Sequence, residues 1–177
     1  MACPILFLQN DSLTEKTKSE NKKEIVFFIT TIFLYCEFFF CKKMDECRFC
    51  DIVNGKINDY KIWENDKFLV FLDANPANAG HCMLIPKKHI DYFFELEDEL
   101  YYELFFTAKK LAEPLRKAMG AKRIGIAVVG FDVPHAHLHL IPLHGSNELF
   151  DPQKFSKAEP EELKKIQDIL IESLKNI

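Results

Sequence analysis

The run His135-Ala136-His137-Leu138-His139-Leu140-Ile141-Pro142 sets three histidines two residues apart. Alternate side chains of an extended strand share a face, so this spacing predicts three imidazoles in a row at intervals of roughly 6.5–7 Å. Ala136, Leu138 and Leu140 then turn to the opposite face, toward a core. Each imidazole titrates near about pH 6.5 when unperturbed. Such a row suits a phosphate: a neutral imidazole can attack phosphorus while protonated neighbours hold the anionic oxygens. It equally suits a metal ion.

A second constellation is Cys47-Arg48-Phe49-Cys50, whose two thiols are close enough in sequence to grip one ion. Thiolate and imidazole together favour tetrahedral zinc, and a structural zinc site needs four such ligands. His89, just past an expected strand end, and His135, at the start of the histidine run, are candidates for the other two. A redox dithiol shares the spacing but needs a thioredoxin-like βαβ context, which the pattern lacks.

The elements that must position these residues are legible from Met44 onward. Cys47 to Asn54 reads as a short helical turn ended by Gly55. Lys61 to Glu64 and Phe68 to Asp73 are apolar runs around Asn65-Asp66, a hairpin signal. After the Asn75-Pro76 turn, His81 to Pro86 reads as a third strand. Leu100, Leu104, Ala108, Leu111 and Leu115 recur at helical spacing, which predicts an amphipathic helix over Glu97 to Met119, kinked at Pro114 and stopped by Gly120. Arg123 to Val129 and His135 to Leu143 are two more expected strands, joined by a short turn around Gly130. Leu163, Ile166, Leu170 and Leu174 mark a C-terminal helix, with Ser156 and Glu159 spaced as a capping box. The sum is an α+β domain: a five-stranded antiparallel sheet with one long and one C-terminal helix.

Composition bounds the partners. A chain of 177 residues, 48% hydrophobic and 28% charged, can bury one sizeable core. Its net charge of −4 gives no electrostatic footprint for nucleic acid, so an anionic ligand has to be held by local chemistry. Cysteines at 3, 36, 41, 47, 50 and 82 are too scattered for a disulfide-stapled scaffold, and the expected compartment is a reducing one, cytoplasmic or nuclear. Ile25 to Cys41 is nearly continuous apolar sequence broken by Glu37. It is a marginal membrane anchor and a poor secretory signal. Residues 1–43 therefore read as a leader or marginal anchor outside the folded domain, and 44–177 as that domain, with membrane contact only through 25–41.

The histidine run resembles the His-φ-His-φ-His-φ-φ signature (φ, apolar) of the histidine-triad (HIT) superfamily. The likeness extends through Phe71-Leu72-Asp73-Ala74-Asn75-Pro76, Gly80-His81 and Ile85-Pro86-Lys87-Lys88-His89, in the order and spacing of its Hint branch, and covers about residues 46 to 143. It implies a nucleotide-binding hydrolase or transferase that cleaves purine nucleoside phosphoramidates at the α-phosphate. In that reading His137 is the nucleophile that forms a nucleotidyl-histidine, His139 binds a phosphate oxygen, and His81 supports charge or proton movement. Asp73 takes the ribose hydroxyls, Phe49, Ile57, Phe71, Leu72 and Ala74 wall the base, and the Gly130 amide reaches the phosphate. The resemblance also implies structural zinc on Cys47, Cys50, His89 and His135, and a homodimer formed through the long helix and an edge strand. The chain departs from the branch in its short loop Val129-Gly130-Phe131-Asp132-Val133-Pro134, where no serine matches and Asp132 places an acid near an anion.

Blander roles exist for several of these residues. Asp73 also fits the start of the Asn75-Pro76 turn, His89 an exposed site after a basic pair, and His81 a core position. Cys82 reads as a small buried apolar residue, and Tyr92-Phe93-Phe94 as core or subunit contact. Two other functions remain open at this level: a hydrolase with catalytic zinc on a His-x-His pair, and a nucleotide-binding or scaffold module without turnover. The sequence has neither a Walker A motif nor Gly-x-Gly-x-x-Gly, which argues against P-loop and Rossmann chemistry.

Overall fold

In a computed structural model of the chain, the structure describes residues 47–146, 148 and 157–177. The expected boundary at Met44, the apolar segment Ile25 to Cys41 and Ser156 lie outside the described residues. Helix α1 (Arg48–Val53) leads into strands β1 (Lys61–Glu64), β2 (Phe68–Leu72) and β3 (Cys82–Pro86). A 3₁₀ turn at Phe93–Glu95 precedes the long helix α2 (Asp98–Ala118), then come β4 (Arg123–Ala127), β5 (Leu138–Leu143) and α3 (Pro160–Leu174). The five strands form one antiparallel sheet, as the alternation of apolar runs and turns predicts, and their order is β1-β2-β3-β5-β4.

The β1–β2 hairpin closes because the Asn65 side-chain oxygen accepts from the backbone N–H of Lys67 (2.9 Å) and of Phe68 (2.7 Å). Strand β2 is buried along its whole length. Phe68, Val70 and Leu72 enter the main core beside Leu104, Leu111 and Leu115 of α2 and Leu163, Leu170 and Leu174 of α3. Leu69 and Phe71 instead join Phe49, Ile52 and Ile85 in a smaller cluster under α1. Each fully buried leucine or phenylalanine stabilises the fold by roughly 1.5–3 kcal/mol, so this two-sided burial makes β2 the best-anchored strand.

Helix α2 carries Asp98 and Glu99 in its first turn and Arg116 and Lys117 in its last, both favourable against the helix dipole. It runs unbroken past Pro114, and Gly120, at φ 61°, follows its end. The C-terminal helix starts differently from the expectation. Glu159 is its N-cap in extended conformation and makes no side-chain cap bond; Pro160 at the first helical position supplies the start signal instead of a capping box.

The largest correction concerns the histidine run. The sheet ladder of β5 begins at Leu138, so His135, Ala136 and His137 lie on the lead-in and not within the strand. The link from β4 is correspondingly long, running from Val128 to His137, where a short turn was expected. Alternation nonetheless survives through the lead-in: Ala136, Leu138 and Leu140 all sit in the main core. Among the described residues, no helix is long and apolar enough to cross a membrane.

Gly80, at φ 80°, brings the chain from the Asn75-Pro76 turn into β3, and a Cβ there would meet the Met119 side chain at 2.5 Å. Gly80→Ala is expected to lower stability by roughly 1–3 kcal/mol, through both the left-handed backbone and the contact. Urea unfolding of the variant checks this.

Candidate functional site

The end of β2, the lead-in to β5 and α1 enclose a cleft of about 440 Å³. Its apolar wall includes Phe49, Phe71, Leu72 and Ala74, with Val133 packed against the Phe49 cluster; Asp73 and Asn75 lie at the strand end, and Val129, Gly130, Asp132 and Pro134 of the link before β5 also line it, as do His137 and His139. Phe49 lies edge-on to Phe71 at 5.3 Å and to His137 at 5.4 Å between ring centres. Of the expected base-wall residues, Ile57 does not line the cleft; it packs against the small cluster behind Phe49. Arg48, Asp59, Asn75 and Met83 line the cleft without having been singled out in the sequence. Arg48 and Asp59 face one another at 3.6 Å, and nothing in their local sequence signals the pairing.

Hydrogen bonds fix the tautomer of each imidazole. His137 is buried, and its Nδ1–H donates to the carbonyl of His135 at 2.7 Å, which leaves the lone pair on Nε2. The backbone N–H of Ala77 donates to His81 Nδ1 (3.1 Å), so the His81 proton sits on Nε2, 3.0 Å from His139 Nδ1. His139, accepting there, keeps its own proton on Nε2. Burial holds His81 below the usual histidine range despite the Asp73 carboxylate at 3.6 Å. His139 is pushed down to about 4 by burial first, then by the neighbouring His81 and His137.

Asp73 serves its turn as well as the cleft. One carboxylate oxygen accepts the Asn75 N–H at 2.8 Å and the other faces His81. A carboxylate offers about four acceptor positions, so capacity for a further donor remains.

Behind the cleft, Cys47, Cys50, His89 and His135 bring one donor atom each to within 4.8 Å of one another. His135 Nδ1 lies 3.4 Å from Cys47 Sγ and 3.6 Å from Cys50 Sγ, and His89 Nδ1 lies 3.3 Å from Cys50 Sγ. Tetrahedral coordination with ordinary zinc–sulfur and zinc–nitrogen bond lengths gives sulfur–nitrogen edges of about 3.5 Å, so the donors fit such an ion. His135 Nε2–H donates to the Pro86 carbonyl at 2.8 Å, which leaves Nδ1 as the ligating nitrogen. Without a cation, burial and the Cys47 thiol push Cys50 up to about 12. A buried Cys50 thiolate is thus stable here only beside positive charge. Asp73, His81 and His139 also cluster within 4.8 Å, but the His81 nitrogens and His139 Nδ1 are accounted for by the bonds described above. Cys82 is buried, and burial raises its thiol far above the usual range, as expected of an apolar filler.

Residues 54–146 match the family model of the HIT domain. The chain belongs to the HIT family. An uncharacterized HIT-like protein of Saccharolobus solfataricus is 31% identical over 140 residues, which cover 74% of this chain and 99% of that one. An adenosine 5′-monophosphoramidase of Schizosaccharomyces pombe is 35% identical over 101 residues, 54% of this chain and 73% of that one. Among solved structures, a zinc-bound histidine triad family protein from Mycobacterium smegmatis superposes with a TM-score of 0.63 at 26% identity, covering 75% of this chain and 95% of that one. This HIT domain thus carries the family's histidine run, with a Cys/His cluster able to bind a metal directly behind it.

The depressed His139 makes acid stability a readout of the site. Its folded pKa lies below the unfolded value, so the unfolded chain takes up the proton first and stability falls as pH drops from about 6.5 to about 4. Between neutral pH and about pH 5, His139→Asn is expected to lose on the order of 1 kcal/mol less than the unaltered protein, as measured by urea unfolding.

Proposed function

We propose that this HIT protein is a nucleotide-binding hydrolase or transferase that cleaves purine nucleoside phosphoramidates at the α-phosphate through a covalent nucleotidyl-histidine. The observation that carries this reading is the bond from His137 Nδ1–H to the His135 carbonyl, which in the neutral ring places the lone pair on Nε2 of a cleft-lining residue. The named phosphoramidase relative supports the substrate class, and the apolar wall supports a base. In the first step the Nε2 lone pair forms a bond to phosphorus, the phosphorus–nitrogen bond to the amine breaks, and the amine leaves with a proton taken from solvent, which the attacking water of the second step gives back. Water then attacks phosphorus, the bond to His137 breaks, and the nucleoside monophosphate departs. His139 holds a phosphate oxygen through Nε2–H, His81 fixes His139 in that tautomer, the Gly130 amide approaches the phosphate, and Asp73 takes the ribose hydroxyls.

The Cys47, Cys50, His89 and His135 set is assigned to structural zinc, with the zinc-bound M. smegmatis relative in support. A bound zinc would supply charge compensation for the thiolates and nothing at phosphorus. His135 would then be fixed from both ring nitrogens, and the carbonyl it presents to His137 fixed with it. We also assign residues 44–177 to the catalytic domain and 1–43 to a segment outside it, and expect a cytoplasmic homodimer. Exposed Tyr102 and Phe106 on α2 and the edge position of β4 favour that dimer geometry.

His137→Asn is expected to reduce hydrolysis of adenosine phosphoramidate by roughly a thousandfold or more while nucleotide binding stays measurable. Rapid acid quench with labelled substrate should place an acid-labile label on His137. Turnover by the variant at the unaltered rate would reject the mechanism, and binding without any product would favour a scaffold role. Metal analysis should find zinc equimolar with the chain, lost in Cys50→Ser together with thermal stability. If chelation stops turnover of a still-folded protein, a catalytic metal is the better account.

A further inference from the structure

The charges around the cleft are unusual for a site that receives a phosphate. Among the described residues Arg48 is the one lysine or arginine lining it, and it faces Asp59 at 3.6 Å. Asp73 and Asp132 add two more carboxylates, while burial keeps His81 and His139 in their neutral forms. Asp73 is held by its turn and by His81. Asp132 is exposed on the link before β5, lines the cleft and has no ion-pair or hydrogen-bond partner among the described residues. Its charge nevertheless reaches the site, since it acts on His139.

Position decides which part of a substrate meets that carboxylate. With a nucleoside against Phe49, Phe71 and Ala74 and its α-phosphate at His137 and His139, the exposed Val129, Gly130 and Asp132 are among the lining left to meet the group on the other side of phosphorus. An anionic leaving group there adds to the existing negative charge, whereas a cationic one gains a partner. Resting on the nucleotidyl-transfer reading above, we propose that Asp132 is a specificity-determining residue that selects phosphoramidates whose leaving amine carries a second, positively charged group, and rejects acidic or polyphosphate leaving groups.

The test uses three adenosine 5′-phosphoramidates of similar length, made from 1,4-diaminobutane, butylamine and 4-aminobutanoate, with unsubstituted adenosine phosphoramidate as the activity control. The metal-loaded full chain should process them in that order, with kcat/KM spread over roughly tenfold at low salt. The spread should contract to about twofold in Asp132→Asn and the order reverse in Asp132→Lys. Because the three amines differ in intrinsic leaving ability, the change between protein variants isolates the electrostatic effect. An equal spread in Asp132→Asn, or equal rates in the unaltered protein, overturns the inference while leaving the nucleotidyl-transfer reading intact. If even the control is not hydrolysed, that reading fails, and the dissociation constants of the three compounds decide: the same order, lost in Asp132→Asn, supports charge selection, and equal affinities overturn it.

Discussion

His137 sits on a segment that the sheet does not hold. Regular pairing of β5 begins one residue later, at Leu138, so the placement of this imidazole depends on contacts made by the two residues before it. The Ala136 N–H donates to the Ile90 carbonyl at 2.6 Å, and the His135 ring is tied to the Pro86 carbonyl on one side and to the cysteine pair on the other. Those tethers fix the His135 carbonyl, and that carbonyl orients His137. The Cys/His cluster and the cleft are therefore one structural unit: the first acts on the second through a single peptide group.

The same logic orders His139 in the cleft and His81, buried beside it. A backbone amide at Ala77 sets the tautomer of His81, and His81 sets that of His139. Each ring is oriented by a group that is itself held by the fold, so little reorganisation is left for the moment of reaction. Burial enforces neutrality, and the absence of charge on His81 and His139 leaves the carboxylates of the cleft to dominate its field.

Most of the architecture was legible because the apolar periods were strong and the turn residues stood where turns were needed. The long helix ended within a residue or so of its expected bounds, and the hairpin formed around Asn65. The Cys/His cluster was legible from ligand chemistry, since two thiols call for two more donors and the structure brings His89 and His135, the candidates available, beside them. What failed was local. Alternation in the histidine run implied a strand from His135, but alternation marks only which face a residue presents, not whether its backbone has a partner. The capping box was misread because Glu159 and Pro160 together offered a better start. Ile57 fell outside the cleft wall, and the Arg48–Asp59 pair escaped notice, because both depend on how the loop after α1 folds back.

The two-sided burial of β2 has a consequence for how such a protein can diverge. Phe71 faces the cleft while its neighbours Val70 and Leu72 belong to the main core, so a change of side-chain size in this strand disturbs both layers at once. The stretch Val129 to Asp132 of the link is less constrained: Val129, Gly130, Phe131 and Asp132 are all exposed. New ligand preferences can accordingly be acquired on that link at little cost to folding, whereas the apolar wall of the cleft is bound to the interior and resists drift.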